Sequence, residues 1–359
     1  MWTGRFRLWG ATLCLLLVVA ACTTGGATPS TSPGDQGDQG ASTTTTADGT
    51  PPDSVARPQE CAELEPGKPW TTGCTVTATT VQEGGDDGPR VDLVMYPHPD
   101  YEGKPWSHWG QGIVASNGRH YSAIGDHLGA DGNSFVYEYD PETMTLTMIL
   151  DVLDTVGHEQ GAWGYGKVHA QMAEDRCGNV LVSTYWGKRN GLTFGNGYEG
   201  DVLLRLDPER RATDVVGVIL PEHGVASMAT TPDGALLYAE AADPFGQKTG
   251  SFVVLDATTG EVVFEDDDDA HGGYRSIAVM EDGVAYITWE EGGLARYDPV
   301  ANELDVVDTR TPGEMLRAAT EPDSEGNVYA VSRDPAVFFR LSTDGGITEL
   351  GTALGYPAS

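Results

Sequence analysis

Three side chains stand where they could do chemistry together. His169 lies nine residues before Gly178, Arg317 nine before Gly326, and Arg275 eight before Gly283. The stretches KVHAQM, YRSIAV and LRAAT therefore bring the three to one position of a repeating pattern. An imidazole can act as a general base, and a guanidinium presents a planar fork of donors that fits a carboxylate. Together they could hold and act on an anionic ligand such as a uronate sugar. Gln171 follows His169 by two residues in GYGKVHAQM, so both share one face of an extended strand. Tyr185 and Trp186 could stack on a sugar ring beside them, or could equally be core.

A second recurrence pairs histidine with glycine. His108, His158, His223 and His271 each precede a glycine, in the local texts SHWG, GHEQG, EHG and AHGG. Imidazole binds zinc, manganese and related ions, so these four could hold a divalent metal. Asp126 and His127, in IGDHLG, join them as candidate ligand-binding residues. The plainer reading is that polar side chains in a narrow channel are satisfied by neighbours and ordered water. On that reading the His-Gly pairs are loop signatures carried along with the repeat. The acidic run EDDDDAHGG, Glu265 to Gly273, lacks EF-hand spacing and reads as a solvated turn. No G-x-S-x-G elbow and no CxxC or Cys/His zinc spacing occurs.

Only a repeating scaffold would place such residues together. Glycines at 118, 178, 234, 283 and 326 sit in turns separated by 60, 56, 49 and 43 residues. Around each lie short runs rich in Val, Ile, Tyr and Thr, as in RSIAVMEDGVAYITWEEGGLARYDPVANELDVVDT, Arg275 to Thr309. Four strands per 40–60 residues predict the blades of a β-propeller, an all-β fold. Five four-stranded blades are recognisable. The segment from CTVTATTVQ to VDLVMYPHP could add strands of another, so the closed ring has six blades, or seven in relatives with more chain. The first strand of each blade lines the central channel, which puts His169 and Gln171 inside it. The His-Gly loops then emerge together on one face, at the channel mouth.

This texture resembles the YVTN, SMP-30-like and streptogramin-lyase-like propellers over about residues 75 to 355. The resemblance implies the fold more than an activity. Metal-binding histidines with a glutamine and an arginine also resemble the oligogalacturonate-lyase type of polysaccharide lyase, which implies a lyase or hydrolase of acidic carbohydrate.

The N-terminus reads as an address. Arg5 and Arg7 precede an apolar run from Leu8 to Ala21, the length of a signal-peptide core. The run ends Val19-Ala20-Ala21-Cys22, which resembles the lipobox of bacterial lipoproteins. That resemblance implies removal of residues 1–21, lipid on Cys22 and a cell-membrane anchor facing the extracytoplasmic side. Residues 22–58 carry almost no large apolar side chain and read as a disordered tether, with the propeller in 59–359. The net charge of −33 excludes nucleic acid as a partner. An exported compartment permits disulfides. Cys61 and Cys74 bracket a short turn-rich segment and are paired here, with Cys177 left over, although a bond from Cys177 to either stays open. Expected partners are the membrane, through the lipid, and a small molecule, a carbohydrate or an envelope protein at the channel mouth. The residues alone leave open whether the mouth binds, catalyses or serves as a scaffold.

Overall fold

Apolar side chains alternate with polar ones along most of the chain, and turn residues interrupt them every few positions, so short antiparallel strands are the local solution. The structure is a computed structural model that describes residues 58–62, 64, 67–71, 73–82, 88–97, 99–188, 191–246, 250–266 and 275–352. The predicted signal peptide, Cys22, the tether up to residue 57 and His271 lie outside the described residues.

Five sheets carry four consecutive strands each. Blade I is β5 (Ile113–Val114), β6 (His120–Gly125), β7 (Ser134–Asp140) and β8 (Thr145–Asp151). Blade II is β9 (Ala173–Glu174), β10 (Val180–Ser183), β11 (Val202–Asp207) and β12 (Ala212–Val218). Blade III is β13 (Gly224–Thr230), β14 (Leu236–Ala242), β15 (Ser251–Asp256) and β16 (Val262–Asp266). Blade IV is β17 (Ala278–Val279), β18 (Ala285–Thr288), β19 (Gly293–Asp298) and β20 (Glu303–Arg310). Blade V is β21 (Met315–Ala319), β22 (Val328–Arg333), β23 (Val337–Leu341) and β24 (Ile347–Thr352). Each is an antiparallel meander, and the five follow one another in sequence. The chain is a β-propeller. The five turn glycines of the repeat all take the left-handed conformation, with φ from 65° to 83°, which explains why glycine recurs there.

Neighbouring blades share apolar clusters. Blades I and II meet around Tyr121, Val136, Val182 and Leu204; blades II and III around Leu181, Leu203, Val225 and Leu237. Tyr238, Phe252, Ile287 and Tyr297 fill the next interface, and Tyr286, Leu294, Phe339 and Leu341 the one after. The opposite face of blade I is covered by Val94, Tyr96 and Tyr101.

The N-terminal segment does not build one further blade. β1 (Lys68–Pro69) adds to the outer edge of blade II against β12, and β2 (Thr75–Thr77) adds to blade I against β8. β3 (Thr79–Gln82) and β4 (Val91–Leu93) pair only with each other. Two short helices accompany the strands: α1 (Gln59–Ala62) and α2 (Val152–Val156), whose first turn is capped by the Asp151 carboxylate.

The disulfide corrects the sequence reading. Cys61 bonds to Cys177, not to Cys74. Short separation favoured the Cys61–Cys74 pair, but antiparallel addition of β1 to β12 carries Cys61 past the outer edge of blade II to its 175–178 turn. The bond spans 116 residues of sequence. A loop of that order removes about 5 kcal/mol of unfolded-chain entropy in the loop-closure account.

Candidate functional site

The segment that leads into β9 of blade II is held between its neighbours by backbone hydrogen bonds. Lys167 and Tyr185 exchange backbone hydrogen bonds at 3.1 and 2.7 Å. The Val168 carbonyl accepts from Gly110 N–H, and Met172 N–H donates to Gln111 of blade I, both at 2.9 Å. Gly166 is required here: a Cβ would lie 2.7 Å from the Asp126 carbonyl oxygen. This segment carries Lys167, His169 and Gln171 into the blade.

His169 is buried, and its ring lies on Tyr185 with 4.4 Å between centroids. Nδ1–H donates to the Ala226 carbonyl of blade III at 3.0 Å. Burial first, then the Arg275 charge, pushes the imidazole down to about 4, so it is neutral at physiological pH. The tautomer fixed by Ala226 leaves Nε2 as the basic atom. Gln171 donates through Nε2 to the Arg275 carbonyl at 3.0 Å, while its Oε1 is buried with no partner.

Backbone irregularity aims the arginines. β21 shifts register between Leu316 and Ala318, so Arg317 occupies a bulge; β13 shifts between Val225 and Ser227, so Ala226 does too. Bulges re-aim side chains beside functional sites. Arg275 lies three residues before β17 begins. Burial and the nearby Arg317 charge both depress the Arg275 guanidinium. The charges of both Arg275 and Arg317 reach the His169 imidazole.

Sequence reasoning missed Lys167, the centre of the group. Its Nζ stands 4.5 Å from the Trp109 ring centroid, 5.3 Å from that of Trp186 and 5.8 Å from that of Tyr185. Tyr185 and Trp186 stack at 4.8 Å, and His127 stacks on Trp109 at 4.5 Å. Burial and then Lys167 lower the His127 imidazole. The indole Nε1 atoms of Trp109 and Trp186 are buried without acceptors. The signal for Lys167 was present in GYGKVHAQM, since it shares the period-two face of His169 and Gln171.

The remaining histidines are not gathered. His158 Nε2 pairs with Asp131 at 2.9 Å, and His223 Nδ1–H donates to its own loop at Pro221. His108 is lowered by burial and then by neighbouring His120. Among the described residues no group of three or more His, Cys, Asp or Glu is arranged to hold a metal. Among the described loops the equivalence in sequence fails in space, because His158 turns to Asp131 and His223 to its own loop.

At the C-terminal ends of the same inner strands a cavity of about 660 Å³ opens, with Gln171, Met228, Ser276 and Ala319 in its wall and Glu174, Asp175 and Glu321 near its rim. The channel is therefore cationic and aromatic at one end and carboxylate-lined at the other.

No protein-family model and no curated protein matches the chain. Among solved structures, a streptogramin B lyase is 14% identical, with 76% of this chain and 75% of that one covered and a TM-score of 0.48. A putative 6-phosphogluconolactonase from Bacteroides fragilis is 16% identical over 79% and 82%, also at 0.48. The virginiamycin B lyase of Staphylococcus aureus is 14% identical over 68% and 69%, at 0.45. At these identities the likeness concerns the fold alone.

Proposed function

We propose that the protein is a lipid-anchored β-propeller of the cell envelope that binds a carboxylate-bearing ligand, an acidic sugar in the first place, at its channel mouth. One observation carries this reading. In a chain of net charge −33, the Lys167 and Arg275 side chains make no hydrogen bond or ion pair among the described residues, yet Arg275 stands close enough to depress the Lys167 amine. Unpaired cations beside like charges cost stability, and proteins keep such arrangements where a ligand relieves them. Two buried indole N–H donors without acceptors, on Trp109 and Trp186, fit the same anionic guest.

A catalytic reading has its own support in His169. The bond from Nδ1 to Ala226 leaves a neutral imidazole whose Nε2 can take a proton. A bound carboxylate would raise its basicity, as a lyase or hydrolase of acidic carbohydrate needs. Titration calorimetry of the full chain with galacturonate oligomers, against neutral galactose oligomers of the same length, tests the proposal. Heat of binding with the acidic oligomers alone supports it, and equal or absent binding of both overturns it. New absorbance from an unsaturated uronate product in the same samples would assign the lyase.

A further inference from the structure

Lys167 is more than a fixed cation. Its side chain is 8% exposed and enclosed by three aromatic rings. Ring faces attract an ammonium but accept no conventional hydrogen bond, and among the described residues no protein group accepts one from Nζ. The charged form loses hydration without gaining a counter-ion. The titratable and charged groups around it are Arg275, His127, His169 and Asp126. Asp126 makes no bond to it: Oδ1 accepts from Leu128 N–H, Oδ2 is buried without a hydrogen-bond partner, and burial raises the carboxyl. Burial first and Arg275 second bring the Lys167 amine down to about 8. A desolvated lysine beside a second cation is the arrangement that yields a nucleophilic amine near neutral pH.

We propose that Lys167 is a carbonyl-reactive amine, whose Nζ condenses with the aldehyde or ketone group of an oxo acid held by its carboxylate at Arg275 and Arg317. The carboxylate half of this statement rests on the function proposed above; the amine half rests on the enclosure of Lys167. The Nζ lone pair attacks the carbonyl carbon and a C–N bond forms. One proton passes from nitrogen to the carbonyl oxygen, giving a carbinolamine. That hydroxyl leaves with the second N–H proton as water, and a C=N bond remains. No electrons change hands, and no co-reactant is needed. The indole and phenol rings that enclose Nζ also limit the water that would hydrolyse the product. Uronic acids with a free reducing end belong to the ligand class, since their open-chain form carries both groups.

Cyanoborohydride trapping of the full chain tests this, with glyoxylate as probe and acetaldehyde as a probe lacking the carboxylate. The expected result is one reduced adduct per chain, mapped to the Lys167 peptide by mass spectrometry. It should form about tenfold faster with glyoxylate than with acetaldehyde. Its rate should rise with pH through about 8, well below the range of surface lysines. The Lys167→Arg variant, which keeps a cation in the aromatic enclosure, should lose this adduct. Equal trapping by both probes at Lys167 would support the reactive amine while removing the carboxylate contact. Adducts spread over surface lysines with Lys167 unmodified would overturn the proposal, and would do so even if glycolate, which has no carbonyl, bound by calorimetry.

Discussion

The His169 imidazole lies flat against the Tyr185 ring, 4.4 Å between centroids and 25° between planes. One edge is tied to the Ala226 carbonyl and the other is left free. This packing forces the neutral form, and the consequence is measurable. The folded value of about 4 lies below the ordinary 6.5, so between those pH values the unfolded chain binds a proton that the folded chain refuses. His169 therefore subtracts stability as pH falls through this window, by roughly 3 kcal/mol in total. His169→Gln should flatten the loss. Denaturant melts of both proteins at pH 7 and pH 4.5 check it, and parallel curves would contradict the assignment.

Arg275 carries charge next to Arg317, and among the described residues its guanidinium has no carboxylate partner. Removing it should stabilise the free protein by about 1 kcal/mol, a few degrees in Tm for a chain of this size. The same Arg275→Met change should weaken binding of an acidic sugar at least about tenfold. Thermal melts and calorimetry on one preparation test both signs, and a variant that loses stability as well would argue for a structural role.

Glu138 is a stability site rather than a functional one. It is 4% exposed, and it accepts from Tyr121 Oη at 2.8 Å and from Arg119 and Arg211 at 3.1 Å. Arg211 comes from blade II and stacks on Trp70 at 4.6 Å, so the network joins two blades and the strand segment outside them. Glu138→Ala should cost about 3 kcal/mol. Glu138→Gln, which keeps one acceptor, should cost less. Chemical denaturation with an unchanged slope would confirm a local loss.

Cys177→Ser should lower the unfolding midpoint and leave ligand binding intact, because the Cys61–Cys177 bond lies at the β9–β10 turn, several residues beyond Lys167 and His169. Reduction of the native protein should lower the midpoint at least as far. A midpoint unchanged by Cys177→Ser would contradict a stabilising role for this bond.

Membrane attachment is tested at Cys22. Its replacement by Ala should move the protein from the membrane to the soluble fraction. Unchanged fractionation would remove the lipid anchor from the proposal.

The blade pattern was legible because turn glycines, alternating strands and Asp-Pro or Asp-Ala-Thr-Thr-Gly turns are local features. A residue such as Gly283 states its own requirement for positive φ. The meeting of His169, Arg275 and Arg317 was legible for the same reason, since equivalent positions in a repeat converge on the axis. Lys167 was not singled out, although it shares the face of His169, because nothing local marks a lysine as buried. Its enclosure depends on Trp109 and Trp186, 58 and 19 residues away in different loops. The loop histidines misled in the opposite sense: the repeat equates their positions in sequence, but loops of unequal length send His158 to Asp131 and His223 to Pro221. The disulfide was missed because its loop is long, and chain separation says nothing about which blade edge the N-terminal strand will join.

The Cys61–Cys177 bond also decides how this protein bears load. Tension entering from residues before 58 reaches Cys61 first and passes through the sulfur bridge into the 175–178 turn of blade II. β1 and β2, which hold their blades by only two and three residue pairs, lie beyond that junction and are spared. A propeller pulled from its N-terminus would therefore not be unzipped from its edge. Force would have to disrupt the interior of a whole blade at once, and reduction of one bond would turn the same pull into peeling, strand by strand.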